Sequence, residues 1–120
     1  MISITTKRVY EPASRQDGYR VLVDRIWPRG LKKEQVSAEL WLKDAAPSTP
    51  LRQWFGHDRE RWPEFKQRYF AELDEQTEAV DKLMQIAKER PLVLLFSAHD
   101  EECNQAVALK EYLSKKLGIG

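Results

Sequence analysis

The sequence predicts a single small α/β domain over residues 1–120, with a short, mostly parallel sheet and flanking helices. Three observations carry this. Strand-like runs are separated by helix-like ones, the pattern that yields a parallel sheet. PLVLLFSA (91–98) is short and continuously apolar, as a central strand covered on both faces must be. With 42% apolar and 32% charged residues in 120, the chain can fill one modest core and is not composed like a disordered segment.

The elements follow in order. ISITTKRVY (2–10) has the β-branched residues and partial alternation of a strand, and EPASRQDG (11–18) is a turn region with Asp17-Gly18 as its strongest signal. YRVLVDRIW (19–27) reads as a second strand that Pro28 ends, because proline cannot donate to a ladder. LKKEQV suits a short helix, and AELWLKD (38–44) fits either a short strand or a helical turn. In APSTP, Ser48 or Thr49 can cap a helix with Pro50 in its first turn, and Gly56 suits the residue after its end. From Asp58, a possible cap, apolar residues at 62, 65, 69, 73, 80, 83, 84 and 87 keep helical spacing. The span 59–89 is long for one helix, so a break is expected near Glu75–Thr77, where Thr77 could cap a second helix. After the 91–98 strand, Asp100 is expected to cap a last helix, with Cys103, Ala106, Val107, Leu113 and Leu117 on its inner face and Gly118 beyond its end.

Composition narrows function. Twenty Lys/Arg against 19 Asp/Glu leave a net charge of +1, which argues against a dedicated polyanion binder. The balance is uneven: residues 1–57 carry +4 and residues 58–120 carry −3. One cysteine excludes an internal disulfide and fits a reducing, cytoplasmic setting. One Cys and two His give no zinc-ligand spacing. The first residues lack the apolar core of a signal peptide, and LVLLF is far too short to cross a membrane. No motif for a metal, flavin, nicotinamide or P-loop cofactor is present.

In open α/β sheets, ligands bind beyond the carboxyl ends of the strands. Two segments leave those ends here, DRIWPRG (24–30) and SAHDEECN (97–104). Arg25 and Arg29, with Lys32 beside them, can clamp a phosphate or carboxylate through bidentate hydrogen bonds, or they can pair with nearby acids such as Glu34. Ser97, His99 and Asn104 surround a strand-to-helix junction whose backbone N–H groups favour anions, although Ser97 and Asn104 can equally serve the local backbone. His57 and His99 are weak candidates for acid–base work. Cys103 is either a nucleophile or a small buried hydrophobe. Lys43 and Arg52 are left open, and the aromatic stripe through Trp41, Trp54, Trp62, Phe65 and Tyr69 reads as core before it reads as a base-stacking platform.

DRIWPRG, WLKDAAPS, LRQWFGHD, RERWPEF and DEECNQAVALKEYL together resemble the YeaO-like family of bacterial proteins, domain of unknown function 488. The resemblance runs from about Val9 to Leu117 and implies a compact α/β domain with a small sheet. It transfers no activity. Distant relatives have a Cys-His-Arg triplet where this chain has Cys103-Asn104-Gln105, so only Cys103 matches. The expectation is a cytosolic protein that binds, with or without acting on it, an anionic small molecule, phosphate- or nucleotide-like. The alternative is a nucleic-acid-associated or regulatory protein without catalysis. A third reading gives the charged 59–89 segment to a protein partner.

Overall fold

The structure is a computed structural model and describes residues 2–119. Four strands form one parallel sheet in the order β1-β4-β2-β3: β1 is Ile4–Arg8, β2 Tyr19–Leu22, β3 Leu40–Trp41 and β4 Leu92–Phe96. The helices are α1 (Lys33–Val36), α2 (Thr49–Phe55), α3 (Trp62–Glu75), α4 (Thr77–Glu89) and α5 (Gln105–Leu117). The expected small α/β domain with a parallel sheet is therefore the observed one.

All five β4 side chains are buried, which explains the absence of alternation in LVLLF. They divide between two faces. Leu92, Leu94 and Phe96 join Val21, Val23 and the inward residues of α2 to α5 in the larger core. Val93 and Leu95 join Leu22, Val9 and Val36 in a smaller one, covered by Trp27, Leu31 and Trp41. Each fully buried aliphatic or aromatic side chain contributes about 1.5–3 kcal/mol, so β4 anchors both layers. Among the described residues, no helix is long and apolar enough to cross a membrane.

The link from β1 to β2 contains no helix and is held by side chains. Buried Arg20 donates to the Ser37 and Val36 carbonyls and pairs with Asp17, which also takes Lys7 at 3.0 Å. Gly18 lies so close to Pro91 that a Cβ there would meet the Pro91 carbonyl oxygen at 2.1 Å.

Three expectations are corrected. The second strand stops at Leu22 instead of running to Trp27, because Asp24 turns its carboxylate toward the β4–α5 loop. The last helix starts at Gln105, with Asn104 as its cap; Asp100 instead caps a preceding turn, accepting from the Glu102 and Cys103 N–H groups. Its fully inward residues are Ala106, Ala108, Leu109, Tyr112 and Leu113, while Cys103, Val107 and Leu117 are half-buried. The 59–89 segment does break at Gln76, although no side chain caps α4. Ser48 caps α2 as expected, through the Leu51 N–H at 3.3 Å, and Gly56 ends it at φ 53°. AELWLKD resolves into the two residues of β3 and a 3-10 turn at Lys43–Ala45.

Candidate functional site

β4 lies between β1 and β2, so the carboxyl ends of three strands sit side by side. Arg8 closes β1 opposite Phe96, and Val23 donates to the Leu95 carbonyl at 3.1 Å. Beyond these ends lies a crevice of about 240 Å³. Asp24, Arg25, Arg52, His57, Ser97 and His99 line it, and Phe55 and Phe65 add aromatic surface. A shallower groove continues from it along Arg8, Tyr10, Trp27, Arg29, Arg52 and His99. The two segments singled out in the sequence, 24–30 and 97–104, thus meet in one concavity.

The arginines divide their work. Arg25 donates from Nε to the Pro47 carbonyl at 3.1 Å and from its terminal nitrogen to Ala46 at 3.2 Å, tying the turn after β2 to the loop before α2. Arg8 donates to the Ala98 carbonyl at 3.1 Å and lies 3.2 Å from His99 Nδ1. A guanidinium can only donate, so Nδ1 accepts and the ring proton sits on Nε2. Arg29 and Arg52 are exposed. Among the described residues, none of these four guanidiniums has a carboxylate oxygen within 4.0 Å. The acid-paired alternative for Arg25 and Arg29 is thus not the observed arrangement. Lys32 is exposed and outside the lining.

Trp27 and Trp41 fix the turn. Trp27 Nε1 donates to the Leu31 carbonyl at 2.7 Å, Trp41 Nε1 to the Asp24 carbonyl at 2.7 Å, and the rings meet edge-on at 5.2 Å. Two indole hydrogen bonds and an edge-on ring pair thus tie the cationic turn after β2 down from behind.

Asp24 is the one buried carboxylate of the crevice, 6% exposed. It accepts from Ser97 N–H at 3.1 Å, from Ser97 Oγ at 2.5 Å and from Gln105. Burial pushes its carboxyl up, and the bonds from Ser97, the field of Arg52 and the bond from Gln105 only partly offset that.

Ser97 and Asn104 line the crevice, but their polar atoms serve the fold. Ser97 is held by Asp24; Asn104 accepts from the Val107 N–H at 3.0 Å and donates to the Asp100 carbonyl at 2.7 Å. His57 lines the crevice with φ 60°, a left-handed conformation unusual for a side chain of its size. Cys103 is half-buried and outside the lining; burial raises its thiol, the opposite of an activated nucleophile. The loop carrying it is clamped by Arg59, which grips Asp100 at 2.8 Å and Glu102 at 3.0 Å. Phe65 and Tyr69 are fully buried, and Trp54 has the Arg61 and Arg68 guanidiniums at 5.2 and 4.4 Å from its ring centre, so no open stacking platform exists there. Among the described residues, no cluster of His, Cys, Asp and Glu could hold a metal ion.

Sequence reasoning missed Arg8 and treated Asp24 only as a residue within the second strand. Arg8 reads locally as a strand residue, and only the insertion of β4 beside β1 brings it to the site. Arg52, whose role the sequence leaves open, is brought to the crevice by the packing of α2.

The model of the inactive DUF488-N3 subclade matches residues 3–118. The chain belongs to the YeaO-like DUF488 family. It is 43% identical to the uncharacterized protein YeaO of Escherichia coli K12 over 112 residues, 93% of this chain and 97% of that one. It is 50% identical over 70 residues to the uncharacterized proteins Mb3100c of Mycobacterium bovis and Rv3073c of Mycobacterium tuberculosis; the match covers 58% of this chain and 59% of each of theirs. No solved structure matches.

Proposed function

We propose that the chain binds a small anionic molecule, bearing a phosphate or carboxylate, in the crevice at the carboxyl ends of β1, β4 and β2. One observation carries this: Arg25 and Arg52 line the crevice, Arg8, Arg29 and Arg52 line the groove that adjoins it, and among the described residues none of the four guanidiniums has a carboxylate within 4.0 Å. Like charges gathered on a wall repel, and an anion between them relieves that repulsion while accepting hydrogen bonds from Arg29 and Arg52, whose guanidiniums make none among the described residues. The crevice, about 240 Å³, is below the range typical of drug-sized ligands, so it suits a small metabolite whose remainder lies along the groove. Ile26 and Tyr10, 57% and 40% exposed, offer that remainder apolar contact. Binding without turnover is favoured by the description of the matched subclade as inactive and by the position of Cys103 outside the lining.

Thermal-shift and calorimetric titration with inorganic phosphate, small organic phosphates and AMP test the reading. At one hundred times Kd a ligand stabilises by about 2.7 kcal/mol. Arg52→Ala, at an exposed position, should fold normally and weaken binding. If no anion binds, or if Arg52→Ala and Arg29→Ala leave binding untouched, the reading fails. Binding of DNA or RNA with a steep salt slope would favour the nucleic-acid alternative instead.

A further inference from the structure

We infer that Asp24 reads a hydrogen-bond donor on the ligand, so that the site takes a bifunctional small molecule: an anionic head for the arginine rim and a hydroxyl or ammonium group for Asp24. This rests on the anion-binding reading above and specifies the class of ligand.

Asp24 shares the crevice lining with Arg52, His57 and His99. An ionised carboxylate offers about four acceptor positions. Ser97 N–H, Ser97 Oγ and Gln105 fill three, two on Oδ2 and one on Oδ1. All three donors are neutral, and no cation lies within 4.0 Å of the carboxylate among the described residues. A carboxylate kept only to join β2 to the β4–α5 loop would be held most cheaply by a guanidinium, because an unpaired buried charge is costly. Arg25 is the next residue in the chain, yet it spends its fork on the carbonyls of Pro47 and Ala46. The negative charge thus lacks an ion-pair partner among the described residues, in a lining that includes Phe55 and Phe65.

This arrangement discriminates. A plain anion gains from Arg52 and is repelled by Asp24. A molecule that also carries a donor gains from both, and it fills the remaining acceptor position on Oδ1. Sites built to bond a polar group reject analogues that lack it more strongly than apolar pockets reject a missing methylene. Arg52 and Asp24 line the same crevice of about 240 Å³, so head and donor belong to one short molecule.

A matched series separates the two ideas. Ethyl phosphate has no donor, glycerol 3-phosphate has hydroxyls and phosphoethanolamine has an ammonium group. Each is titrated calorimetrically into the wild type, Asp24→Asn and Arg52→Ala, with urea denaturation to confirm that both variants fold. At least one of the donor-bearing phosphates should bind the wild type about tenfold or more tighter than ethyl phosphate. Asp24→Asn should abolish that preference while leaving ethyl phosphate bound as well or better, and Arg52→Ala should weaken all three. Equal affinities across the series, or a preference that survives in Asp24→Asn, overturn the inference and leave the anion site standing. If none of the three binds, both the inference and the anion-binding reading fall.

Discussion

Replacing Asp24 by Asn should make the protein more stable at neutral pH, and the gain should vanish in acid. The substitution keeps the shape of the side chain and removes a charge that sits 6% exposed with only neutral donors around it. The asparagine oxygen can accept from Ser97 N–H and Oγ, and a turned Gln105 amide can accept from its NH2. Burial raises the Asp24 carboxyl above 3.8, its ordinary value. In the window between 3.8 and the folded value, the native state holds more protons than the unfolded chain. Stability therefore falls as pH rises through that window, and the cost is complete only above the folded value. The difference between variant and wild type isolates this group from every other carboxylate. It should be near zero below pH 4, then rise by at most about 1.4 kcal/mol per pH unit to a plateau. For 120 residues, each kcal/mol amounts to about 4 °C in Tm. Urea denaturation of both proteins from pH 3 to 8 measures the difference. If Asp24→Asn is less stable at pH 7, and increasingly so as pH rises, the three hydrogen bonds outweigh burial. Asp24 is then a structural anion, and the case for its role in ligand recognition collapses.

Asp17 should behave with the opposite sign. Burial raises it, but the Ser14 N–H, Lys7 and Arg20 outweigh that and hold it below its ordinary value, so its contribution is present above 3.8 and lost as pH falls. Asp17→Asn should cost about 1–3 kcal/mol at pH 7 and progressively less in acid, read by the same denaturation series. Gly18→Ala should cost about 2–4 kcal/mol, since the new Cβ collides with the Pro91 carbonyl that accepts from Tyr19 N–H at 2.8 Å; a loss under about 0.5 kcal/mol contradicts the packing described here. Cys103 should react with iodoacetamide at pH 7.5 several-fold more slowly than free cysteine, because burial raises its thiol. A rate at or above that of free cysteine would mean that the Arg59 charge beats burial.

Much of the fold was legible locally, and the reasons are specific. LVLLF announces a strand with two covered faces, and β4 is the strand buried on both. Ser48 and Gly56 follow from capping within a few residues, and the break near Gln76 from the length of the periodic span. The misreadings arise where two local solutions compete. DEECN contains two good caps, Asp100 and Asn104, and nothing local says that Arg59, 41 residues earlier in the chain, will claim the first. VDRIW continues an apolar run, yet β2 ends because Asp24 finds its donors 73 and 81 residues later. The site was legible as a place, because strand ends predict it, but its membership was not. Arg8 and Arg52 enter through strand order and helix packing, which local pattern cannot express.

The basic turn after β2 combines two kinds of arginine, and their replacement should separate them. Arg25 donates to two loop carbonyls, so Arg25→Ala strips the Pro47 and Ala46 oxygens of their donor and frees the wall of the crevice. The expected cost is about 1–3 kcal/mol in urea denaturation, together with weaker phosphate binding. Arg29 is exposed and its side chain makes no hydrogen bond among the described residues; only its carbonyl is used, by Tyr10 at 2.9 Å. Arg29→Ala should stay within about 0.5 kcal/mol of the wild type while still weakening phosphate binding, more at low salt than at high. A neutral Arg25→Ala would show that the turn is held by Trp27 and Trp41 alone. An Arg29→Ala that leaves phosphate affinity intact at low salt would detach the groove from the crevice, because Arg29 reaches ligand only if the two are one site.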